Sequence, residues 1–187
     1  MTLKIIAGEK RGLKLFVPDP TLAKPTSAKV REAIFSILGE KVPSARVLDL
    51  YAGSGAMALE AISRGAESAT CADENQKVLK TIGQNIALFG KDKDIVALAA
   101  SFPKDINLLI PRSPYDLIFL DPPYRDIEVP QSFLKLAIKT KLIAPSATLV
   151  WEMASSNLAR LELISFTPWT VWKSRSWGKK AALFLEL

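Results

Sequence analysis

Residues 46–56 read Arg46-Val47-Leu48-Asp49-Leu50-Tyr51-Ala52-Gly53-Ser54-Gly55-Ala56, and this stretch decides the fold. A short apolar run ends in a Gly-x-Gly turn, which opens onto an apolar segment from Ala56 to Arg64 closed by Gly65. The first part reads as a buried strand and the last as a helix. Gly53 and Gly55 let the backbone turn sharply and approach a ligand with no Cβ in the way, while the helix N-terminus offers free N–H groups.

The same alternation continues downstream. Ser68–Ala72, Ile95–Ala99, Tyr115–Leu120 and Ala147–Trp151 read as strands, with helices from Asn75 to Phe89 and from Pro130 to Thr140. Trp169–Lys173 and Ala181–Leu187, around Trp177-Gly178-Lys179, read as a closing hairpin. Upstream, Leu3–Ala7 and Leu13–Val17 flank a basic tip, Gly8–Gly12, as a second hairpin. Thr26 or Ser27 is placed to N-cap a helix carrying Val30, Ala33, Ile34, Ile37 and Leu38 up to Gly39. Strands alternating with helices predict an α/β fold: a mostly parallel sheet covered on both faces, with antiparallel character at one edge.

Composition narrows the chemistry. The chain has 187 residues, 49% of them hydrophobic, one cysteine and no histidine. That length suits a domain that holds its core without disulfides. A single Cys71 fits a reducing compartment, and no apolar run approaches the ~18 residues of a membrane span. The N-terminal MTLKIIAGEKRG lacks the apolar stretch of a signal peptide, so a cytoplasmic protein is expected. The absence of histidine excludes Ser-His-Asp and Cys-His catalysis and HExxH zinc sites. Net charge is +6, with seven Lys/Arg against two acids in residues 1–31 and four against none in 173–180. A basic head and tail around an acidic middle suit a polyanion partner, although scattered surface lysines are the plainer reading.

Two loops carry the chemistry. Asp73 follows the second strand, where an acid can accept both hydroxyls of a ribose. Gly53-Ser54-Gly55-Ala56-Met57-Ala58 is a passable dinucleotide GxGxxA, but Asp49 would face a pyrophosphate unfavourably. It suits the amino group of S-adenosylmethionine (SAM). No Gly-Lys-Ser/Thr makes a P-loop. After the fourth strand comes Asp121-Pro122-Pro123-Tyr124. In an open α/β sheet this loop lies beside the glycine loop. Two prolines fix a stiff turn lined by acceptors, the Asp121 carboxylate and the Pro122 carbonyl. Such acceptors on the two N–H bonds of a base amino group free its lone pair for attack on a methyl donor, and Tyr124 offers a face for an extruded base.

The chain resembles the bacterial RsmD-type methyltransferases. The resemblance rests on residues 5–15 (IIAGEKRGLKL), 24–32 (KPTSAKVRE), 48–55 (LDLYAGSG), 59–66 (LEAISRGA) and 121–124 (DPPY). It implies a Rossmann-like class I SAM methyltransferase with a seven-stranded sheet, a hairpin-and-helix extension over residues 1–40 and a catalytic domain over 41–187. It implies methylation of guanine N2 in small-subunit 16S rRNA at nucleotide 966. The implied partner is that rRNA or the assembling small subunit, and a monomer is expected. The implied SAM site is Asp49, Tyr51, Gly53, Ser54, Gly55, Asp73, Ser101 and Thr26, with Asp121, Pro122, Pro123 and Tyr124 on the target base and no metal. Three positions depart from the family pattern. Asp73 stands where Glu is frequent, Lys24 stands for Arg, and Leu98-Ala99-Ala100-Ser101 leaves only Ser101 to meet the adenine.

Lys10, Arg11, Lys14, Arg31, Lys173, Arg175 and Trp177 are the candidate RNA contacts. Trp169 and Trp172 read as packing. Competing functions are an adenine-N6 or cytosine-N4 methyltransferase of DNA, a protein-glutamine methyltransferase, and a non-catalytic RNA-binding assembly factor.

Overall fold

The structure is a computed structural model that describes residues 3–23, 25–91, 94–122, 128–161 and 165–187. Its strands are β1 (Arg46–Leu50), β2 (Ser68–Asp73), β3 (Ile95–Ala99), β4 (Tyr115–Leu120), β5 (Ile143–Ala154), β6 (Thr170–Trp177) and β7 (Lys180–Glu186). They form one sheet in the order β3-β2-β1-β4-β5-β7-β6. The first five strands run parallel, and β7 is antiparallel to both β5 and β6.

Alternate residues of each strand enter different cores, as the two-residue period of a strand requires. Val47, Cys71, Phe119, Val150 and Phe184 pack with the helices α1 (Ala28–Leu38), α2 (Ala56–Ser63) and α3 (Gln76–Phe89). Leu48, Leu50, Ile118, Leu120, Leu149 and Trp151 pack on the other face with α4 (Glu128–Lys139). A short α5 (Leu158–Leu161) follows β5. The helix ends use the expected chemistry. Ser27 caps α1 through the Val30 N–H, and Asn75 caps α3 through the N–H groups of Lys77 and Val78. Gly90 ends α3 at φ 78°.

Three elements differ from the sequence expectation. The N-terminal hairpin contains one bridge, Lys4 to Lys14, in place of two strands. The N–H groups of Ile6 and Ala7 go instead to the carboxylate of Glu60 on α2, at 2.7 and 3.0 Å. The segment is thus tied to the helix beneath as well as to itself, where the Ile5 N–H donates to the Leu13 carbonyl and the Leu15 N–H to the Leu3 carbonyl. Gly8, at φ +81°, lies so close to α2 that a Cβ would sit 1.8 Å from the Ser63 carbonyl oxygen. Strand β5 runs longer than predicted because it is paired on both sides, and β6 extends to Trp177, which leaves the turn and becomes a strand end.

Candidate active site

The carboxyl ends of β1, β2, β4 and β5 surround a cavity of about 370 Å³. It is lined by Leu22, Ala23, Pro25 and Thr26 from the N-terminal segment, and by Asp49, Tyr51, Ala52, Gly53, Ser54, Ala56 and Met57 around the glycine loop. Asp73, Glu74 and Asn75 close one side, and Phe119, Asp121, Pro122 and Glu152 the other. Sheet register explains the second group. Leu120 of β4 pairs with Trp151 of β5, so the next residues along, Asp121 and Glu152, come level on the opposite face.

The glycine loop is held from beneath. Tyr51 (φ 60°), Gly53 (φ 56°) and Gly55 (φ 72°) all take positive φ. Asp73 anchors the turn, one carboxylate oxygen accepting the Gly53 N–H at 3.2 Å and the other the Asn75 N–H at 2.9 Å. Asp49 is buried and accepts the Ala58 N–H at 3.2 Å. A residue that sequence reasoning passed over, Asn85 of α3, is fully buried and donates to the carbonyls of Ser54 and Phe16 while accepting the Phe16 N–H. It fastens the N-terminal segment to the glycine loop.

Glu152 is the other site residue missed. An acid inside the apolar run Leu149-Val150-Trp151-Glu152-Met153 was its only signal. Its two carboxylate oxygens lie 3.2 and 3.1 Å from the Thr26 hydroxyl, and one lies 3.5 Å from the Lys180 ammonium. Lys180 therefore turns toward the cavity; Glu152 pairs with Ala182 across β5 and β7, and Lys180, two residues away, shares that face. Burial raises the proton affinity of all four principal carboxylates. It does so for Asp49, helped by Glu152, Asp121 and Asp73, and for Asp73 despite its backbone bonds. It does so for Asp121 against the charge of Lys180. Burial and the charge of Asp121 push Glu152 to about 7.

Of the proposed cofactor residues, Thr26, Asp49, Tyr51, Gly53, Ser54 and Asp73 line this cavity. Gly55 lies just below, at the N-cap of α2. Ser101 lies in a small adjoining cleft with Phe102, reached across Tyr51, Asp73 and Glu74, where its hydroxyl donates to Glu74 at 2.7 Å. Pro123 and Tyr124 lie outside the described residues, as does Lys24. No cluster of metal-ligating side chains occurs among the described residues, and no described helix is long and apolar enough to cross a membrane.

The family described as "Conserved hypothetical protein 95" matches residues 3–186. The chain belongs to this family. It is similar to the ribosomal RNA small subunit methyltransferase D of Escherichia coli, 38% identical over 125 residues, a match spanning 66% of this chain and 61% of the relative's own length. It is similar to the protein of the same name from Haemophilus influenzae, 27% identical over 177 residues, spanning 94% and 89%. The solved structure of the Escherichia coli protein yhhF superposes with a TM-score of 0.82 at 27% identity, covering 100% of this chain and 98% of that one. The sheet of this family member is the class I methyltransferase sheet expected from the sequence.

The candidate RNA contacts scatter. Arg31 is a correction: it is wholly buried, with its guanidinium donating to the Thr26 and Lys4 carbonyls and its Nε 3.7 Å from Glu60. Its charge is taken up inside the fold, out of reach of a phosphate. Arg11, Lys14 and Arg175 are exposed, and Lys10 and Lys173 are half-buried. The N–H of Lys10 donates to the Ser63 hydroxyl at the far end of α2, so the basic tip sits about 12 Å, one eight-residue helix, below the glycine loop. Trp177 is half-buried and packs against the core. It pairs with Lys180, which places the turn at Gly178 and Lys179 at the cavity edge of the sheet.

Proposed function

We propose that this chain transfers a methyl group from SAM to the exocyclic N2 of a guanine in small-subunit 16S rRNA, guanine 966 on the family resemblance. The observation that carries the reading is a cavity where four carboxylates, Asp49 and Glu152 buried and Asp73 and Asp121 half-buried, meet at the Asp121-Pro122 turn beside the glycine loop. The volume suits a cofactor-sized ligand. Carboxylates whose burial costs them solvation favour a ligand that brings positive charge. SAM, when bound, supplies a methyl group on a cationic sulfonium.

Each residue then has a task. Asp49 and the turn at Gly53, Ser54 and Gly55 would hold the methionyl end, and Asp73 the ribose hydroxyls. Tyr51 and Thr26 line the walls, and Ser101 meets the adenine across the small cleft. The Asp121 carboxylate and the Pro122 carbonyl accept the two N–H bonds of the target amino group. Pro123 would stiffen that turn and Tyr124 would stack on the base. Holding the two reactants in line supplies much of the acceleration. The protein takes as its substrate the rRNA or the assembling small subunit, and acts as a monomer in the cytoplasm. The 1–40 segment serves as an extension that closes one wall of the cavity.

The test is transfer of a labelled methyl group to total RNA, assembled small subunits and DNA, followed by nucleoside identification. Label in N2-methylguanosine from 16S rRNA is expected. Label in N6-methyladenine or N4-methylcytosine of DNA would replace the reading by its nearest rival.

The basic residues make a separate expectation. The C-terminal turn lies at the cavity edge and the N-terminal tip does not, so Trp177→Ala with Lys179→Ala should weaken RNA binding more than Lys10→Ala with Arg11→Ala and Lys14→Ala. Each phosphate-neutralising cation removed should lower the slope of log affinity against log salt by about 1. Filter binding over a salt series measures both; a steeper loss from the N-terminal triple variant would reverse the assignment.

A further inference from the structure

Glu152 lines the cavity together with Asp121 and Pro122, yet neither holding the methyl donor nor holding the target amino group gives it a task. It is 4% exposed. Its two oxygens share the single proton of the Thr26 hydroxyl, at 3.2 and 3.1 Å, and the Lys180 ammonium lies 3.5 Å from one of them. A carboxylate has about four lone-pair sites, so these two donors leave it able to accept from a ligand. Leu120 of β4 pairs with Trp151 of β5, which sets Glu152 on the strand next to Asp121, one strand spacing of about 4.8 Å along the sheet.

Guanine, adenine and cytosine all carry an exocyclic amino group, and they differ in the ring nitrogen beside it. In guanine that nitrogen, N1, bears a hydrogen and donates. In adenine and cytosine it bears a lone pair and accepts. We propose that Glu152 is the residue that selects guanine: with the amino group held by Asp121 and Pro122, the Glu152 carboxylate accepts the neighbouring N1–H. This rests on the functional reading above and supplies its base specificity. Guanine then brings three N–H bonds to three acceptors. Adenine or cytosine in the same pose would set a lone pair against a buried anion that water cannot reach, a mismatch that costs far more than a missing contact in solvent. Thr26 and Lys180 are positioning residues, which orient the carboxylate and keep it ionised.

The charged groups that face Glu152 are Asp49 from β1, Asp121 after β4, Arg31 from α1 and Lys180 from β7. Burial and Asp121 push its ionisation up to about 7, against the pull of Lys180. Above that pH the ionised group accepts and fits guanine. Below it the protonated carboxyl donates and fits a ring lone pair, so the preference for guanine should fade as the solution is acidified.

The experiment compares methyl transfer to 16S rRNA carrying guanine or 2-aminopurine at the target position, placed there by ligating a synthetic segment and reconstituted into small subunits. 2-Aminopurine keeps the same amino group and exchanges the N1–H for a lone pair. At pH 8 the unaltered protein should favour guanine in kcat/KM by at least ~100-fold, and the ratio should fall below pH 7. Glu152→Gln presents an amide that either donates or accepts. It should slow transfer to guanine roughly tenfold, speed transfer to 2-aminopurine and bring the ratio within a few-fold at every pH, with SAM affinity within a few-fold. Lys180→Met should move the pH at which the preference is lost upward, because the carboxylate then lacks its cation. A preference below fivefold in the unaltered protein, which needs no variant to measure, or an E152Q protein that binds SAM and keeps the full preference, would overturn the assignment of Glu152 alone. No transfer to guanine by the unaltered protein, with or without transfer to adenine in DNA, fails the functional reading and this assignment with it.

Discussion

Replacing Asp121 by alanine should reduce methyl transfer by at least ~100-fold while leaving the affinity for SAM within a few-fold. Asp121 stands at the end of β4, level with Glu152, and faces the part of the cavity bounded by Pro122 and Phe119. An amino group held there loses both its orientation and its nearest proton acceptor when the carboxylate is removed. The cofactor end of the cavity, at Asp49, Asp73 and the glycine loop, is untouched. Asp73→Ala should give the opposite pattern. Its carboxylate carries the Gly53 and Asn75 N–H groups, and a charged hydrogen bond of this kind is worth about 1.5–3 kcal/mol. SAM should bind roughly tenfold to a hundredfold more weakly, with transfer at saturating SAM largely kept. Isothermal calorimetry and single-turnover transfer on the two variants separate the roles, and equal loss of SAM affinity in both would contradict the division.

Glu60→Ala should be the most destabilising single change in the N-terminal half. Glu60 is fully buried on α2. Its carboxylate accepts the Ile6 and Ala7 N–H groups and the Arg64 guanidinium at 2.8 Å, and faces Arg31 at 3.7 Å. Removing it leaves the Arg31 charge uncompensated in the interior and orphans two backbone donors. Breaking one member of a buried ion pair costs about 3–5 kcal/mol, which lowers Tm by roughly 10 °C in a domain of this size. Because Arg31 also holds the Thr26 carbonyl at 3.2 Å, the cavity wall should loosen together with the fold. Urea denaturation gives the free energy; a change below about 1 kcal/mol would show that Arg31 finds other partners.

The sheet is legible where a strand announces itself locally. Val47 to Leu50, Ile95 to Ala99 and Tyr115 to Leu120 are apolar runs bounded by turn residues, and β3 and β4 fall on the expected residues. The glycine loop and Asp121 are legible because backbone freedom and paired prolines leave a mark in the sequence itself. The residues that are not legible depend on what meets across the fold. Glu152 reads as an oddity at a strand end until register sets it beside Asp121, and Lys180 reads as one more basic residue of a tail until β7 pairs with β5. Arg31 reads as a surface cation because nothing local signals that Glu60, one helix away in sequence, neutralises it. Asn85 sits on the apolar face of α3 and is satisfied only by backbone groups of two distant segments. The N-terminal hairpin reads as two strands for the same reason: alternation shows which residues face inward, not what their N–H groups will bond.

Strand β7 lies between β5 and β6, and its residues Leu183, Phe184 and Leu185 reach both cores. Strand β6 pairs with β7 alone, so during synthesis it emerges with no neighbour and waits for residues 180–186 before it can join the sheet. The cation that faces Asp121 and Glu152 arrives on that same strand. A nascent chain can therefore shape its glycine loop early, yet its acidic chamber stays without the Lys180 charge until β7 has been made, which ties chemical competence to closure of the sheet.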